Sequence, residues 1–95
     1  MKIQVESLGL PTLSELIGKK TEIEFMGESV EDLVTYIVSK HGQRAQKILL
    51  DNKGKLDLTI QVMVNDEGFV QRDEFPRRNL KEGDKVKFLL LAGGG

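Results

Sequence analysis

Polar and apolar residues alternate at the start of the chain, with Ile3 and Val5 set between Lys2, Gln4 and Glu6. A period of two predicts a half-buried strand over 2–8. Gly9-Leu10-Pro11 breaks it. Leu13, Leu16 and Ile17 then follow at helical spacing, which predicts a short helix over 12–17 stopped by Gly18. Alternation resumes over 21–25, with Ile23 and Phe25 facing in. The two strands make a hairpin whose connection is lengthened by the short helix.

The clearest helix start is Ser29-Val30-Glu31-Asp32. Ser29 is an N-cap, and the two acids suit the positive end of the helix dipole. Val30, Leu33, Val34, Ile37 and Val38 form one apolar stripe at i, i+3, i+4, i+7 and i+8. Lys40 and His41 occupy the last turn and Gly42 ends it, so the main helix runs over 29–41. A shorter helix is expected over 43–50, with Ala45, Ile48 and Leu49 on one side. Asp51-Asn52-Lys53-Gly54 turns the chain. Leu58, Ile60, Val62 and Val64 predict a third strand. Phe69 to Arg72 is a short fourth strand at best, and Lys85 to Leu91 is the last, with Val86, Phe88 and Leu90 on one parity. This order gives an α+β fold in two layers, a mixed sheet with one main helix packed across one face.

Composition narrows the chemistry. The 95 residues carry 14 Lys+Arg against 15 Asp+Glu, and no cysteine. This size allows a single domain over 1–95. Charge balance argues against nucleic acid as the main partner. Disulfides, thiolate metal sites and cysteine nucleophiles are excluded. The single histidine, His41, builds no multi-histidine metal site, and no metal is expected. The start of the chain has no apolar signal run, and no stretch approaches the length of a membrane span. A cytoplasmic protein without membrane contact is expected. Glu31-Asp32, Asp66-Glu67 and Asp73-Glu74 read as solvated turn residues or dipole complements rather than acid–base pairs. His41 reads as a surface residue favoured by the helix C-terminus.

Attention then falls on Ala92-Gly93-Gly94-Gly95, directly after the apolar run Phe88-Leu89-Leu90-Leu91. A glycine run holds phosphate only when a helix follows, and none is read here. Residues 92–95 are expected to form a thin, flexible tail ending in a carboxylate. Without Cβ atoms, such a thread fits a narrow tunnel in a partner. If the helix covers the Val86, Phe88 and Leu90 parity, then Leu89 and Leu91 face the other way, as does Met63 on its strand. These residues, with Ala92, Gly93 and Gly94, are the candidate partner contacts.

These pieces together resemble the MoaD/ThiS family of ubiquitin-like sulfur carriers, closest to the MoaD branch. The likeness rests on Leu10 to Lys19, on Ser29-Val30-Glu31-Asp32-Leu33 and on Val62-Met63-Val64-Asn65. It also rests on Leu80 to Val86 and on the terminal Gly94-Gly95. MoaD proteins often end with a proline-containing strand and Ala-Gly-Gly, whereas this chain has Leu89-Leu90-Leu91-Ala92 and one extra glycine. ThiS proteins are shorter and lack much of 43–57. The resemblance implies a ubiquitin-like β-grasp fold and a reactive group at Gly95. A MoeB/ThiF-like adenylyltransferase would use ATP to adenylate that carboxylate, and sulfur would replace AMP to give a thiocarboxylate. The chain itself would bind no cofactor. It would be the sulfur-donating small subunit of molybdopterin synthase, beside a MoaE-like large subunit that supplies the acid–base residues. The alternatives are cysteine or homocysteine synthesis, thiamine synthesis, tRNA thiolation, or transfer of activated Gly95 to a lysine as a protein modifier.

Overall fold

The computed structural model describes residues 1–90. Strand β1 (Lys2–Leu8) leads through helix α1 (Pro11–Ile17) into β2 (Lys20–Glu24). Helix α2 (Val30–His41) and helix α3 (Gln43–Leu49) follow, then β3 (Ile60–Val64) and β4 (Lys85–Leu90). The sheet order is β2-β1-β4-β3. β1 is antiparallel to β2 and parallel to β4, while β3 is antiparallel to β4. The mixed sheet is therefore closed at its centre by the first and last strands of the chain. This is the ubiquitin-like β-grasp arrangement.

One face of the sheet is the core wall. Ile3, Val5, Val62, Val64, Val86 and Phe88 are all buried, and the Val5–Val86 and Val62–Phe88 pairs sit side by side across β4. Helix α2 lays Val30, Leu33, Val34 and Ile37 against this wall. Val38, expected in the same stripe, is half-buried at the edge of the helix instead. Leu13, Ala45 and Leu49 complete the core from α1 and α3.

The start of α2 is a full capping box. The Asp32 N–H donates to Ser29 Oγ at 3.1 Å, and the Ser29 N–H returns a bond to Asp32 Oδ2 at 3.1 Å. The Glu28 N–H adds a third, at 2.9 Å. These donors hold the Asp32 carboxyl below the usual carboxylate range, led by the Glu28 N–H. Gly42 takes φ of 70°, which lets α2 stop and α3 start within one residue.

Two expected strands are shorter than the alternation suggests. Leu58 is 72% exposed, because β3 begins only at Ile60. Asp57 captures the Thr59 N–H and hydroxyl and turns the chain there. The fourth strand over Phe69 to Arg72 does not form. A single bridge joins Phe69 to Met63, and Arg72–Glu74 is a 3-10 turn. Arg72 turns inward and donates to the carbonyls of Leu56, Asp57 and Ile60, which outcompetes continued pairing on the β3 edge.

The turn after β3 shows why Val64-Asn65 matters. Asn65 sits at φ of 54°, in the left-handed region. Its side chain donates to Asp84 Oδ1 and accepts from the Lys85 N–H, tying the β3 turn to the entry of β4.

Candidate functional site

The outer face of the sheet, opposite the helices, carries Lys2, Gln4, Glu6 and Leu8 from β1 and Lys85, Lys87 and Leu89 from β4. Gln61 and Met63 of β3 share it. Their register sets Gln4 beside Lys85, Glu6 beside Lys87 and Leu8 beside Leu89. Leu89 in turn faces Gln61, and Lys87 faces Met63. The bridge at Met63 brings Phe69 onto the same face.

This face divides into two halves. Toward the start of β4 it is charged. Glu6 is buried, with Oε1 at 3.5 Å from Lys20 Nζ and Oε2 at 4.0 Å from Lys87 Nζ. Lys87 donates to Asp66. That hydrogen bond raises the Lys87 pKa and lowers that of Asp66, so the pair stays ionised across the neutral range.

Toward the end of β4 the face is apolar. Leu8 is 47% exposed beside half-buried Leu89, while half-buried Met63 and Phe69, 54% exposed, lie one row back on the β3 edge, next to Lys87. Leu90, which shares its parity with Val86 and Phe88, does not reach the core. It is 44% exposed, because the chain beside it on the β1 side has reached Gly9, which offers no side chain. The end of β4 thus carries apolar side chains on both faces, exposed Leu8 and half-buried Leu89 on one and exposed Leu90 on the other. This cluster is the candidate contact surface.

Of the candidate residues read from sequence, Met63 and Leu89 lie on this face. Leu91, Ala92, Gly93, Gly94 and Gly95 lie outside the described residues. Leu8 and Phe69 were not among the candidates. The signal for Leu8 was present, as it is the one apolar residue on the Lys2, Gln4, Glu6 parity. Phe69 had no such signal, because its place depends on a single bridge to β3. Of the carboxylate pairs, Asp32 caps α2, Asp66 holds Lys87 and Glu67 meets Arg78 at 3.1 Å, while Glu31, Asp73 and Glu74 make no ion pair among the described residues. Among the described residues, no helix is long and apolar enough to cross a membrane.

Comparison with known proteins agrees with this geometry. A family model described as the ThiS family matches residues 11–95. SAMP1 from Haloferax volcanii superposes with a TM-score of 0.75 at 18% identity, over 100% of both chains. A chain of the BexX/CysO complex from Amycolatopsis orientalis gives 0.69 at 26% identity, over 98% of this chain and 99% of that one. A candidate molybdopterin converting factor, subunit 1, from Pyrococcus furiosus gives 0.64 at 25% identity, over 95% and 97%. No curated protein matches the sequence. The fold is that of a ubiquitin-like β-grasp domain with an apolar end to its sheet. The chain belongs to the ThiS family, among the ubiquitin-like sulfur carriers and modifiers.

Proposed function

We propose that this protein carries sulfur as a thiocarboxylate on Gly95 and delivers it in molybdopterin synthesis, as the small subunit of a two-subunit synthase in the cytoplasm. The observation that carries this reading is the apolar end of the sheet. Exposed Leu8 and Leu90, with half-buried Leu89, surround the end of β4, Met63 and exposed Phe69 lie one row back on the β3 edge, and the sequence continues from that strand through Leu91-Ala92 into three glycines. A partner seated on this surface lies beside the strand that leads into the glycines. The family match through residue 95 supports the same assignment.

The chemistry divides between chain and partners. A MoeB/ThiF-like adenylyltransferase joins the Gly95 carboxylate to AMP from ATP and releases pyrophosphate. The mixed anhydride is electrophilic where the carboxylate was not. A hydrosulfide equivalent adds at the acyl carbon, AMP leaves, and a C–S bond replaces the C–O bond. In a MoaE-like large subunit the thiocarboxylate sulfur attacks an electrophilic carbon of the pterin precursor and displaces an oxygen leaving group from it; water then cleaves the acyl C–S bond, which leaves the sulfur on the pterin and restores the Gly95 carboxylate, with the partner supplying the acid–base groups. This chain contributes the sulfur and the docking surface, and binds no cofactor of its own.

The 25% identity to the candidate molybdopterin converting factor subunit supports this destination. The 26% identity to a chain of the BexX/CysO complex favours a second reading, delivery of sulfur to a different acceptor enzyme. Deleting Gly95, or adding one residue after it, tests what both share. The expected result is complete loss of sulfur loading with an unchanged amide NMR spectrum for residues 1–90. Sulfur loading by either variant would overturn the proposal.

A further inference from the structure

We infer that the helix layer carries a second docking site, a groove for an apolar peptide segment bearing a basic side chain, separate from the sheet face. The groove has a volume of about 670 Å³ and lies between α2, the loop after α3 and the 72–76 segment. That volume falls within the range of roughly 300–1,000 Å³ typical of sites that enclose a small ligand, so it suits a few side chains rather than a whole domain. Val34, Val38, Leu56, Leu58, Phe75 and Pro76 provide its apolar lining.

Three features set it apart from an ordinary surface hollow. First, α2 turns a second stripe toward it, Glu31, Val34, Thr35, Val38 and Ser39, at i, i+3, i+4, i+7 and i+8. This explains why Val38 is left half-buried at the edge of the core stripe. Second, the exposed Leu58 is held in a fixed loop. Arg72 donates to the carbonyls of Leu56, Asp57 and Ile60, at 2.6, 2.6 and 3.0 Å, on both sides of it. Leu58 is thus presented to solvent on a braced backbone, the condition that reduces the entropy lost on binding.

Third, the charges around the groove select the occupant. Glu31, Asp51 and Asp73 line it against Lys55 and Arg72. Arg72 is already committed to three carbonyls. Asp51 accepts from the Lys53 and Lys55 N–H groups. Glu31, Asp73 and the Lys55 ammonium make no ion pair among the described residues, which leaves two unpaired carboxylates against one unpaired ammonium. An apolar segment that also brings an arginine or lysine matches both the lining and these carboxylates. The site lies in the helix layer and the apolar end of the sheet lies on the opposite face, so both can be occupied together.

The test is a titration of the full chain, followed by amide NMR, with designed leucine-rich peptides that differ only in carrying Arg or Glu. The expected result is saturable shifts at Val34, Val38, Leu56, Leu58 and Phe75 with the Arg peptide, and none at Leu8 or Leu89. Leu58→Glu should weaken that binding at least tenfold while leaving the Leu8 and Leu89 resonances unmoved, which shows that the fold is intact. Glu31→Lys with Asp73→Lys should reverse the preference toward the Glu peptide. Equal binding of both peptides by the wild type, shifts confined to the sheet face, or no saturable binding would overturn the inference. Sulfur loading of Gly95 should be unchanged in Leu58→Glu, so this site and the carrier reading fail independently.

Discussion

The inner and outer faces of the sheet are made from the same strands, yet their apolar side chains meet different surroundings. On the inner face Phe88 is flanked by Val62 of β3 and Ser7 of β1 and covered by the helix layer, so it is fully buried. One residue later, Leu89 lies between Leu8 and Gln61 with no helix over it. The first arrangement stabilises the domain. The second leaves apolar area in water, which costs free energy in isolation and is recovered only when a partner covers it. On the proposed reading, adjacent residues of one strand separate the requirements of folding from those of function.

That contrast can be broken most strongly at Phe88. Phe88→Ala should cost about 3–5 kcal/mol of stability, since it empties a fully buried aromatic site. Urea denaturation measures it, and a loss below about 1 kcal/mol would mean that the inner face is not the main core. Leu89→Asp should do the reverse. Partner binding should fall about a hundredfold, or about 2.7 kcal/mol, while stability changes by about 1 kcal/mol or less. Equal losses of binding and stability would place Leu89 in the core.

A finer probe is acid. Asp32 at the start of α2, Asp51 and Asp57 in the loops, and Asp66 on the outer face all have lowered pKa values. The causes are local: the Glu28 N–H for Asp32, the Lys55 N–H for Asp51, the Thr59 hydroxyl for Asp57 and the Lys87 ammonium for Asp66. The folded state binds these protons less readily than the unfolded chain. Their contribution is therefore fully present above the ordinary aspartate value of about 3.9 and is lost as pH falls through the lowered folded values. Asp32 and Asp66 are exposed and Asp51 and Asp57 are half-buried at the surface, so the effect should be small and weakened by salt. Stability that rose on acidification would contradict these assignments.

Much of this was legible in the chain. The Ser29 cap, the Val30 to Ile37 stripe and the alternation around Val5, Val62 and Val86 specify the helix and the inner face, because each pattern repeats over several residues. What was not legible depended on single long-range contacts. Arg72 ends the expected fourth strand by bonding carbonyls more than ten residues away, and nothing local to Phe69 announces it. Leu58 fits the strand parity, but Asp57 turns the chain before β3 begins. Leu90 has the right parity for burial and fails because its neighbour on the β1 side is a glycine. The outer contact face was half legible. Met63 and Leu89 followed from parity, while Phe69 required the bridge.

The central claim is that residue 95 is where sulfur is carried. Intact mass spectrometry after incubation with ATP, a sulfur donor and a MoeB/ThiF-like adenylyltransferase tests it most directly. The account predicts a mass gain equal to sulfur replacing oxygen, abolished when Gly95 is blocked and strongly reduced by Leu89→Asp. An unchanged mass with an adenylyltransferase that loads a related carrier in the same assay would contradict it.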